Sequence, residues 1–470
     1  MAMDFEVSSW FQSVLGFLFF ALTTSFFVSS ILVFVSRLKP WCKCETCQTF
    51  LTSSWLRKFS NLCDWYSHLL QNSSTGTIHV HVLGNIITAN PENVEYILKT
   101  RFQNYPKGKH FSAILGDLLG RGIFNVDDDL WKFQRKMATL ELGNLSVRSY
   151  AFDIVSSEIR FRLIPLLSSV AGKDNGVLDL QDVLRRFSFD TICRFSFGLD
   201  PGCLNLSLPI SKFAEAFDLA SKLSAERAMT ASPFVWKLKR FFGFGEEKQL
   251  KEAIKLVDVL AMEVIKHKRD MGSNQEDLLS RFMSTVDDDK FLRDIVISFI
   301  LAGRDTVASA LTTFFWLLSS HPDCLENIRE ESDRVMGRTQ DLPNFEQLKK
   351  CPIYKQQFMR ENDILPDGTF VAKGTRVTYH PYAMGRNERI WGSDCLEFKP
   401  ERWLQNGVFK QANPFKYPVF QAGPRVCLGK EMALVEMKCV ALSLIRKYDF
   451  HVATPSQQPK FMPGLTATVR

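Results

Sequence analysis

Alternating apolar and polar residues near the start of the chain predict a small β-structure. Residues 77–90 alternate in this way around a Gly84-Asn85 turn, a pattern typical of a β-hairpin. Residues 91–93 (Pro-Glu-Asn) predict the start of a helix that continues to Lys99. A sheet-and-helix unit is therefore expected before the main body of the chain.

Helical periodicity dominates the rest of the chain. Residues 150–285 form consecutive amphipathic segments. Glycine-containing breaks separate them at 172–176, 198–209 and 243–245. A further helix is predicted from about residue 290 to 320, where Pro322 ends it, and at 1.5 Å per residue it is about 45 Å long. The expected fold class is mainly α with small β-sheets, an α+β arrangement.

Residues 102–129 interrupt this periodicity. Glycines at positions 108, 116, 120 and 122 stand among apolar side chains such as Phe111 and Leu118. Glycine at this density predicts a loop rather than a packed helix. The apolar side chains either line a pocket or belong incidentally to a surface loop.

The first 36 residues predict a membrane anchor. Residues 7–36 carry no charge and are long enough to span a bilayer. A cleaved signal peptide is the alternative, which Asp4, Glu6 and the length of the apolar stretch disfavour. Because Arg37 and Lys39 follow, the downstream chain is expected on the cytosolic side.

The domain organisation follows from this anchor and from composition. No Gly/Ser-rich linker or internal repeat divides the remainder. We expect an anchor at 1–36, a juxtamembrane linker at 37–60 and one large domain at 61–470. Forty Phe residues indicate an aromatic-rich core or pocket.

Net charge limits the classes of binding partner, and cysteine usage indicates the redox compartment. The 58 Lys+Arg exceed the 51 Asp+Glu by seven, an excess too diffuse for nucleic-acid binding but suited to membrane lipid or an acidic redox partner. Eleven scattered Cys residues indicate a reducing compartment.

Cys42, Cys44 and Cys47 stand close together just after the anchor. A zinc or iron–sulfur site needs a fourth ligand, and none is spaced nearby in the sequence to close one. Reversible palmitoylation and a plain interfacial segment are the other interpretations.

Residues 420–429 place a cysteine where its sulfur is free to bind a metal. Gly423 and Pro424 predict a tight turn, and Cys427 precedes a helical run over about 430–448. Unpaired N–H groups at that helix start stabilise a thiolate. Gly429 has no Cβ and leaves room for a flat cofactor.

This stretch resembles the cysteine-ligand loop of the cytochrome P450 superfamily. Phe420, Gly423, Arg425, Cys427 and Gly429 fill every position of Phe-x-x-Gly-x-Arg-x-Cys-x-Gly. The alternative is a buried structural cysteine in a turn. The resemblance implies the P450 fold with a single N-terminal transmembrane helix at the endoplasmic reticulum membrane, the catalytic domain being cytosolic. It also implies haem b, with Cys427 as the thiolate ligand of its iron.

Trp131 and Arg135 lie one helical turn apart, and both side chains only donate hydrogen bonds. The pair resembles the family's Trp-x-x-x-Arg, which implies that it binds the haem carboxylates. A surface stacking pair is the alternative.

The centre of the 290–320 helix resembles the family's oxygen-activation motif Ala-Gly-x-Asp-Thr, in Ala302, Gly303, Asp305 and Thr306. Gly303 weakens the helix and Thr306 bonds back into it, so a local opening is expected there. The resemblance implies that Ala302 lies at the cofactor, that Thr306 holds the proton donors of dioxygen and that Asp305 admits protons. An ordinary polar helix face is the alternative.

Three stretches, 102–108, 119–125 and 301–306, resemble the plant branch that oxidises the terminal carbon of fatty acids, most closely its members acting on jasmonoyl-amino acid conjugates. This implies O2, an NADPH-cytochrome P450 reductase as electron donor, and an apolar carboxylate substrate beneath residues 102–129. A haem-thiolate isomerase or dehydratase is a rival interpretation, but it has no use for a proton relay at Asp305 and Thr306. A non-enzymatic, membrane-anchored remnant is another.

The chain departs from the family pattern at its Glu-x-x-Arg helix. Tetrads starting at Glu326 and Glu331 have the spacing but come too early. At 352–362, where the motif is expected, a helix and the pocket strand after it are predicted to be missing. Arg402, in Pro-Glu-Arg, then becomes a buried charge without its partner, and the closing strand at 461–469 is truncated. We therefore also consider a splice or gene-model variant that holds haem poorly.

Overall fold

The computed structural model describes residues 16–18, 20–31, 42–143, 145–172, 176–205, 212–229, 233–271, 277–336, 356–358, 361–453, 461–462 and 468–469. The α-helices in these ranges are α1 (Gly16–Ile31), α2 (Glu45–Leu51), α3 (Leu62–Asn72), α4 (Pro91–Glu95), α5 (Gly108–Leu119), α6 (Asp128–Leu142), α7 (Leu145–Glu158), α8 (Ile164–Ala171), α9 (Leu180–Phe197), α10 (Lys212–Met229), α11 (Pro233–Phe242), α12 (Glu246–Met271), α13 (Leu278–Met283), α14 (Asp289–Ser319), α15 (Pro322–Met336), α16 (Pro381–Met384), α17 (Glu388–Trp391) and α18 (Lys430–Ile445).

The strands are short and form one four-stranded sheet and three pairs. They are β1 (Thr77–Val80), β2 (Asn85–Thr88), β3 (Gln356–Phe358), β4 (Asp363–Ile364), β5 (Phe370–Val371), β6 (Arg376–Tyr379), β7 (Leu404–Gln405), β8 (Val408–Phe409), β9 (Phe461–Met462) and β10 (Thr468–Val469). The four-stranded sheet has the order β1-β2-β6-β3, with β2 and β6 parallel and the other neighbours antiparallel. The predicted class, mainly α with small sheets, is confirmed.

The predicted β-hairpin is confirmed as β1 and β2. Thr77 lies opposite Thr88 in an antiparallel register, and Gly84 turns the chain with a φ of 55°. The following helix begins at Pro91, within the predicted start, and the Asn90 side chain caps it by accepting a hydrogen bond from the Glu92 N–H. This lobe has its own apolar core.

The prediction that residues 102–129 form a loop is wrong for half of the segment, because α5 occupies it. Ile114, Leu115 and Leu118 lie on one face of α5 and are buried, and the helix packs against α10, α12 and α14. The free energy gained by burying this face exceeds the cost of a glycine within the helix, which is about 1 kcal/mol relative to alanine. Arg293 caps the last turn by donating to the Leu118 carbonyl at 2.8 Å.

The glycines after α5 serve close packing rather than flexibility. Gly120 has a φ of 49°, and a Cβ added there would lie 2.1 Å from a carboxylate oxygen of Asp294 on α14. The same carboxylate accepts the Arg121 N–H at 2.7 Å. The chain therefore passes directly over α14 at this point.

The long helix predicted at 290–320 is confirmed as α14, which has 31 residues. Asp288 caps its start by accepting from the N–H groups of Lys290 and Phe291. Buried residues run along most of its length, and it packs against α9 and α18. Helix α14 therefore crosses the centre of the helical domain.

The N-terminal anchor falls mostly outside the described residues. The described part of α1 is apolar, and side chains such as Phe17, Leu22 and Phe26 are exposed. Within the described ranges, only α14 has both the length and the hydropathy of a membrane span, and most of it is buried in the protein. A transmembrane helix at residues 7–36 stays a prediction.

A short strand, β3, lies within residues 352–362, where a helix and a pocket strand are predicted to be missing. Strand β3 pairs antiparallel with β6, with Gln356 opposite Thr378 and Phe358 opposite Arg376. Residues 352–355 and 359–360 of that region lie outside the described part, so the absence of the helix stays a prediction. At the C-terminus, β9 and β10 pair with each other.

The buried side chain of Glu436 in α18 is expected to make the stability of the domain depend on pH. Its side chain is 4% exposed, and its Oε1 atom has no hydrogen-bond partner among the described residues. Burial raises the pKa of Glu436 to about 8. Between pH 4.5 and 8 the folded chain therefore keeps a proton that the unfolded chain loses, so stability falls as pH rises.

We expect Glu436→Gln to raise the unfolding temperature at pH 8.5 and to change it little at pH 5. The gain is a few kcal/mol at most, since one pKa unit corresponds to about 1.4 kcal/mol. Thermal unfolding followed by circular dichroism across this pH range measures it, and the exposed Glu252→Gln is the control. An equal shift at both pH values would contradict a buried neutral carboxyl.

Candidate active site

A tight loop presents Cys427. The Cys427 N–H donates to the Phe420 carbonyl at 2.7 Å, and the Val426 N–H donates to the Gly423 carbonyl at 3.1 Å. Gly423 has a φ of 62°, and an added Cβ would lie 2.1 Å from the Leu98 carbonyl oxygen. Only glycine fits there, so this position of the predicted motif has a backbone cause.

The cysteine lies at an open face of the protein beside the start of α18. Cys427 is exposed, and Gly429 is the residue before the first turn of the helix. No atom lies within 4 Å of a Cβ built on Gly429. The loop therefore leaves space in front of the glycine, as a flat cofactor requires.

Arg425 is a buried cation on the inner side of this loop. It is 6% exposed and donates to Asp127 Oδ1 at 2.8 Å. Its guanidinium lies 4.9 Å from the Trp131 ring and 5.1 Å from the Phe102 ring. Its Nε and Nη1 atoms have no hydrogen-bond partner among the described residues. Burial lowers the pKa of Arg425, and Asp127 counters this effect.

Sequence reasoning missed Asp127, which holds Arg425 in place. Besides the guanidinium, Asp127 accepts the N–H groups of Lys107 and Gly108 at 3.0 and 2.9 Å. Although burial opposes it, these hydrogen bonds and Arg425 lower the pKa of Asp127. The only feature of the sequence that could have indicated this role is that Asp127 is the first of three successive aspartates shortly before Trp131.

Arg135 approaches the cysteine loop from α6, while the binding of haem carboxylates by Trp131 and Arg135 stays a prediction. Its Nη2 donates to the Val426 carbonyl. Burial lowers the pKa of Arg135 to about 10, although Cys427 acts in the opposite direction; Arg425 lowers it further. Trp131, one turn earlier on α6, stacks on Arg425. The structure thus brings Trp131, Arg135, Arg425 and Cys427 together.

Arg376 on β6 is a second, half-buried cation that sequence reasoning missed. Its Nε atom has no partner among the described residues, and burial lowers the pKa of Arg376. After burial, the Arg376 charge is the next cause that lowers the pKa of His110 on α5. Arg376 therefore lies near the first turn of α5, which leads back through Gly108 to Asp127.

The centre of α14 is an unbroken helix. Thr306 Oγ1 donates to the Ala302 carbonyl at 2.7 Å, as predicted. The predicted local opening is absent from this described helix. A Cβ on Gly303 would lie 2.4 Å from the Ile192 side chain, so Gly303 allows α9 to pack closely. That packing holds the helix in its regular geometry.

Asp305 is buried in α14. Its Oδ1 lies 3.5 Å from Arg304 Nη1, and Arg304 in turn binds Asp218 on α10. Leu301 on α14 and Leu428 beside Cys427 pack in the same apolar cluster. The structure therefore brings this part of α14 and the start of α18 to one core, while the Asp305 carboxylate pairs within its own helix.

Arg402 is paired, contrary to expectation. It donates to Asp394 Oδ1 at 2.8 Å, to the Asp394 carbonyl at 2.7 Å and to the Trp391 carbonyl at 3.0 Å. Hydrogen bonds from Lys399 and Arg402 lower the pKa of Asp394 to about 2. Arg329, from the early Glu326 tetrad, instead binds Asp449 and the end of α18. The bonds of Arg329 therefore go to the end of α18 and to Asp449 rather than to the meander around Arg402.

These residues fit a haem. Cys427 offers a thiolate, Gly429 leaves an open face, and Arg425 and Arg376 keep buried N–H donors that suit two cofactor carboxylates. Trp131 and Arg135 complete a donor-rich edge. The donor chemistry therefore agrees with an anionic, planar cofactor that carries iron.

Comparison with known proteins shows the protein family to which the chain belongs. The family model of Cytochrome P450 matches residues 73–469, so the chain belongs to the cytochrome P450 family. Its class is that of the haem-thiolate monooxygenases.

The relatives identify a plant branch. Cytochrome P450 94C1 from Arabidopsis thaliana is 56% identical over 462 residues, covering 93% of this chain and 93% of the relative. Cytochrome P450 94B1 from Arabidopsis thaliana is 45% identical, covering 86% and 85%, and cytochrome P450 94A1 from Vicia sativa is 42% identical, covering 86% and 84%. This chain is therefore similar to the plant 94 series.

The same alignments contain positions that this chain does not fill. For 94C1, 93% of 470 residues is about 437, so about 25 of the 462 aligned positions face a gap in this chain. For 94A1, 86% of 470 is about 404 against 439 aligned positions, a difference of about 35. This shortage has the size of one helix with its connections.

Proposed function

We propose that the intact enzyme hydroxylates the terminal carbon of a fatty acid or of a jasmonoyl-amino acid conjugate. It uses O2 and electrons from an NADPH-dependent reductase at the endoplasmic reticulum membrane. The observation that carries this proposal is the Cys427 loop flanked by Arg135, Arg425 and Trp131. A haem held there supplies oxidising power through its thiolate-ligated iron.

The residues around the loop have separate roles in this proposal. Arg425 and Arg376 bind and orient the cofactor carboxylates, because their buried N–H donors are otherwise unsatisfied. Thr306 holds a proton at its hydroxyl on the α14 face, and Ala302 leaves space beside it. Asp305, tied to Arg304, admits protons only when that pair opens.

The substrate class has weaker but independent support. Stretches 102–108 and 119–125 resemble the fatty-acid branch, and α5 between them buries an apolar face. The alignments with the 94 series agree with that branch. Because the buried face of α5 packs against α10, α12 and α14, the support for the substrate class is the resemblance and the alignments.

A turnover assay with purified reductase tests the function. The chain is incubated with NADPH and either dodecanoic acid or jasmonoyl-isoleucine, and products are resolved by mass spectrometry. Oxygen-18 from O2 should enter one terminal hydroxyl. Product formed equally without NADPH, or without label, would favour the isomerase or dehydratase chemistry instead.

We propose, second, that this particular chain is a haem-poor variant of that enzyme. The shortage of about 25 to 35 aligned positions supports an internal loss. So does Arg402, which binds Asp394 in its own segment. The family's brace would instead tie Arg402 to a separate helix. Among the described residues, Arg402 closes the meander locally, through Asp394 and Trp391.

Membrane attachment through residues 1–36 gives a further prediction. Because the segment at 7–36 is uncharged and the described part of α1 is apolar, we expect its deletion to move most of the protein into the soluble fraction. Carbonate extraction followed by immunoblotting measures the shift. Extraction of the full-length protein itself into the soluble fraction would contradict a spanning anchor.

A further inference from the structure

Four metal-binding side chains meet at the junction of α2 and the β1–β2 hairpin. Cys42, Cys44 and Cys47 come from the start of α2, and His81 from the turn between the strands. Their three Sγ atoms and one ring nitrogen lie within 4.8 Å of one another. The expectation that no fourth ligand is close was wrong, because His81 lies 37 positions after Cys44 and is brought there only by folding.

We propose that these four side chains bind one structural Zn²⁺ ion. A tetrahedral zinc with Zn–S near 2.3 Å and Zn–N near 2.0 Å keeps its ligand atoms about 3.5 to 3.8 Å apart. Cys44 Sγ lies 3.7 Å from His81 Nδ1, and Cys42 Sγ lies 3.3 Å from Cys44 Sγ. These two distances are within a few tenths of an ångström of the ideal values, and since all four atoms lie within 4.8 Å of one another, closure around the ion needs shifts of about 1 Å at most.

The surroundings are those of a closed, structural site. Cys47 is fully buried, and its Sγ accepts the Val82 N–H at 3.4 Å, a bond that orients a thiolate. Cys42 and Cys44 pack against the apolar core of the β-lobe. Three cysteines and one histidine fill all four positions of a tetrahedral ion, which leaves none open for catalysis.

The short distances between the four ligand atoms favour a single metal ion over an iron–sulfur cluster. An iron–sulfur cluster distributes its protein ligands over several iron atoms and needs a wider opening than 4.8 Å. A mixed sulfur and imidazole set in tetrahedral arrangement is typical of zinc. Cys42, Cys44 and Cys47 are free cysteines in the structure, so all three sulfurs can serve as ligands.

The ion would join the segment that follows the membrane anchor to the sheet of the β-lobe. Helix α2 begins three residues after Cys42, and the hairpin is the first part of the four-stranded sheet. A metal bond between them fixes the exit of the anchor relative to the folded domain. This role is separate from the haem chemistry at Cys427.

Metal analysis of the full chain tests the proposal. The protein is purified in mild detergent without chelators, and zinc and iron are measured separately by plasma mass spectrometry. We expect about one zinc per chain, and less than about one fifth of that in Cys44→Ser and in His81→Asn. Cys63→Ser and His79→Asn are matched controls that keep their zinc; the His79 ring lies only 3.9 Å from the His81 ring but outside the four-ligand set.

Cobalt replacement gives a readout that does not depend on any variant folding. Co²⁺ exchanged into the full chain should show thiolate-to-cobalt charge transfer and the visible bands of tetrahedral coordination. The proposal is overturned by a folded full chain that keeps no Zn²⁺ after incubation with it and gel filtration. Equal zinc in His81→Asn and in the unaltered chain, octahedral cobalt bands, or acyl groups on these cysteines by intact mass would overturn it too.

Discussion

Insertion of a helix carrying Glu-x-x-Arg between Pro352 and Gln356 is expected to raise haem occupancy of the purified chain. The gain should be about 10- to 100-fold in affinity, the usual effect of restoring outer contacts to a metal site. The inserted pair would bind Arg402 and tie the meander to the domain, so Cys427 would be held at a fixed position. The reduced carbon-monoxide spectrum, in which thiolate-bound haem gives a distinct Soret band, measures it.

The control is an insertion of the same length in which Glu and Arg are replaced by Ala. It restores chain length and connection geometry without the charges. If the gain comes from the brace, this control stays haem-poor. A full thiolate-type band from the uninserted chain would show that the Arg402–Asp394 pair is a sufficient brace.

That pair changes the physical reason for the expectation, although it leaves the direction unchanged. An unpaired buried Arg402 would destabilise the fold by several kcal/mol. Because Asp394 accepts from Arg402 at 2.8 Å, this penalty is absent. Among the described residues, however, the carboxylate partner of Arg402 is Asp394. Asp394 lies only eight positions before Arg402, so the pair closes a local loop and does not connect the meander to a distant helix. The predicted defect is therefore in the position of the cysteine ligand rather than in overall stability.

The sequence predicts well where local periodicity and backbone geometry decide the structure. The apolar pattern and Pro322 placed both ends of α14 within a residue, and the Gly84 turn defined the hairpin. At the cysteine loop, Gly423 is required by a positive φ and a backbone contact. Each of these features is encoded in the few residues around it.

The sequence fails where distant contacts decide. Glycine counting predicted a loop where burial against α10, α12 and α14 forms α5. Asp394 as the partner of Arg402, and Asp127 as the partner of Arg425, are ordinary aspartates until folding brings them into contact. His81 is similarly an isolated residue in the sequence and the fourth member of a metal-binding set in the structure.

Thr306→Ala is expected to separate electron use from product formation. In the proposed function the Thr306 hydroxyl carries protons on the face of α14, so its loss should lower product formed per NADPH consumed by about 10-fold or more, as the loss of a positioned proton donor does. NADPH consumption itself should continue, since cofactor binding by Arg425 and Cys427 is untouched. Parallel measurement of NADPH, hydrogen peroxide and hydroxylated product, in the helix-restored chain, gives the ratio.

Thr312→Ala is the matched control on the same helix. Thr312 donates to the Ala308 carbonyl at 2.7 Å, the same bond and length that Thr306 makes to Ala302, so both changes remove an equivalent helix contact. Only the position relative to the Cys427 loop differs. If Thr312→Ala lowers the ratio as much as Thr306→Ala, the effect is structural. If Thr306→Ser restores the ratio while Thr312→Ala never changes it, the hydroxyl at position 306 acts on protons during oxidation.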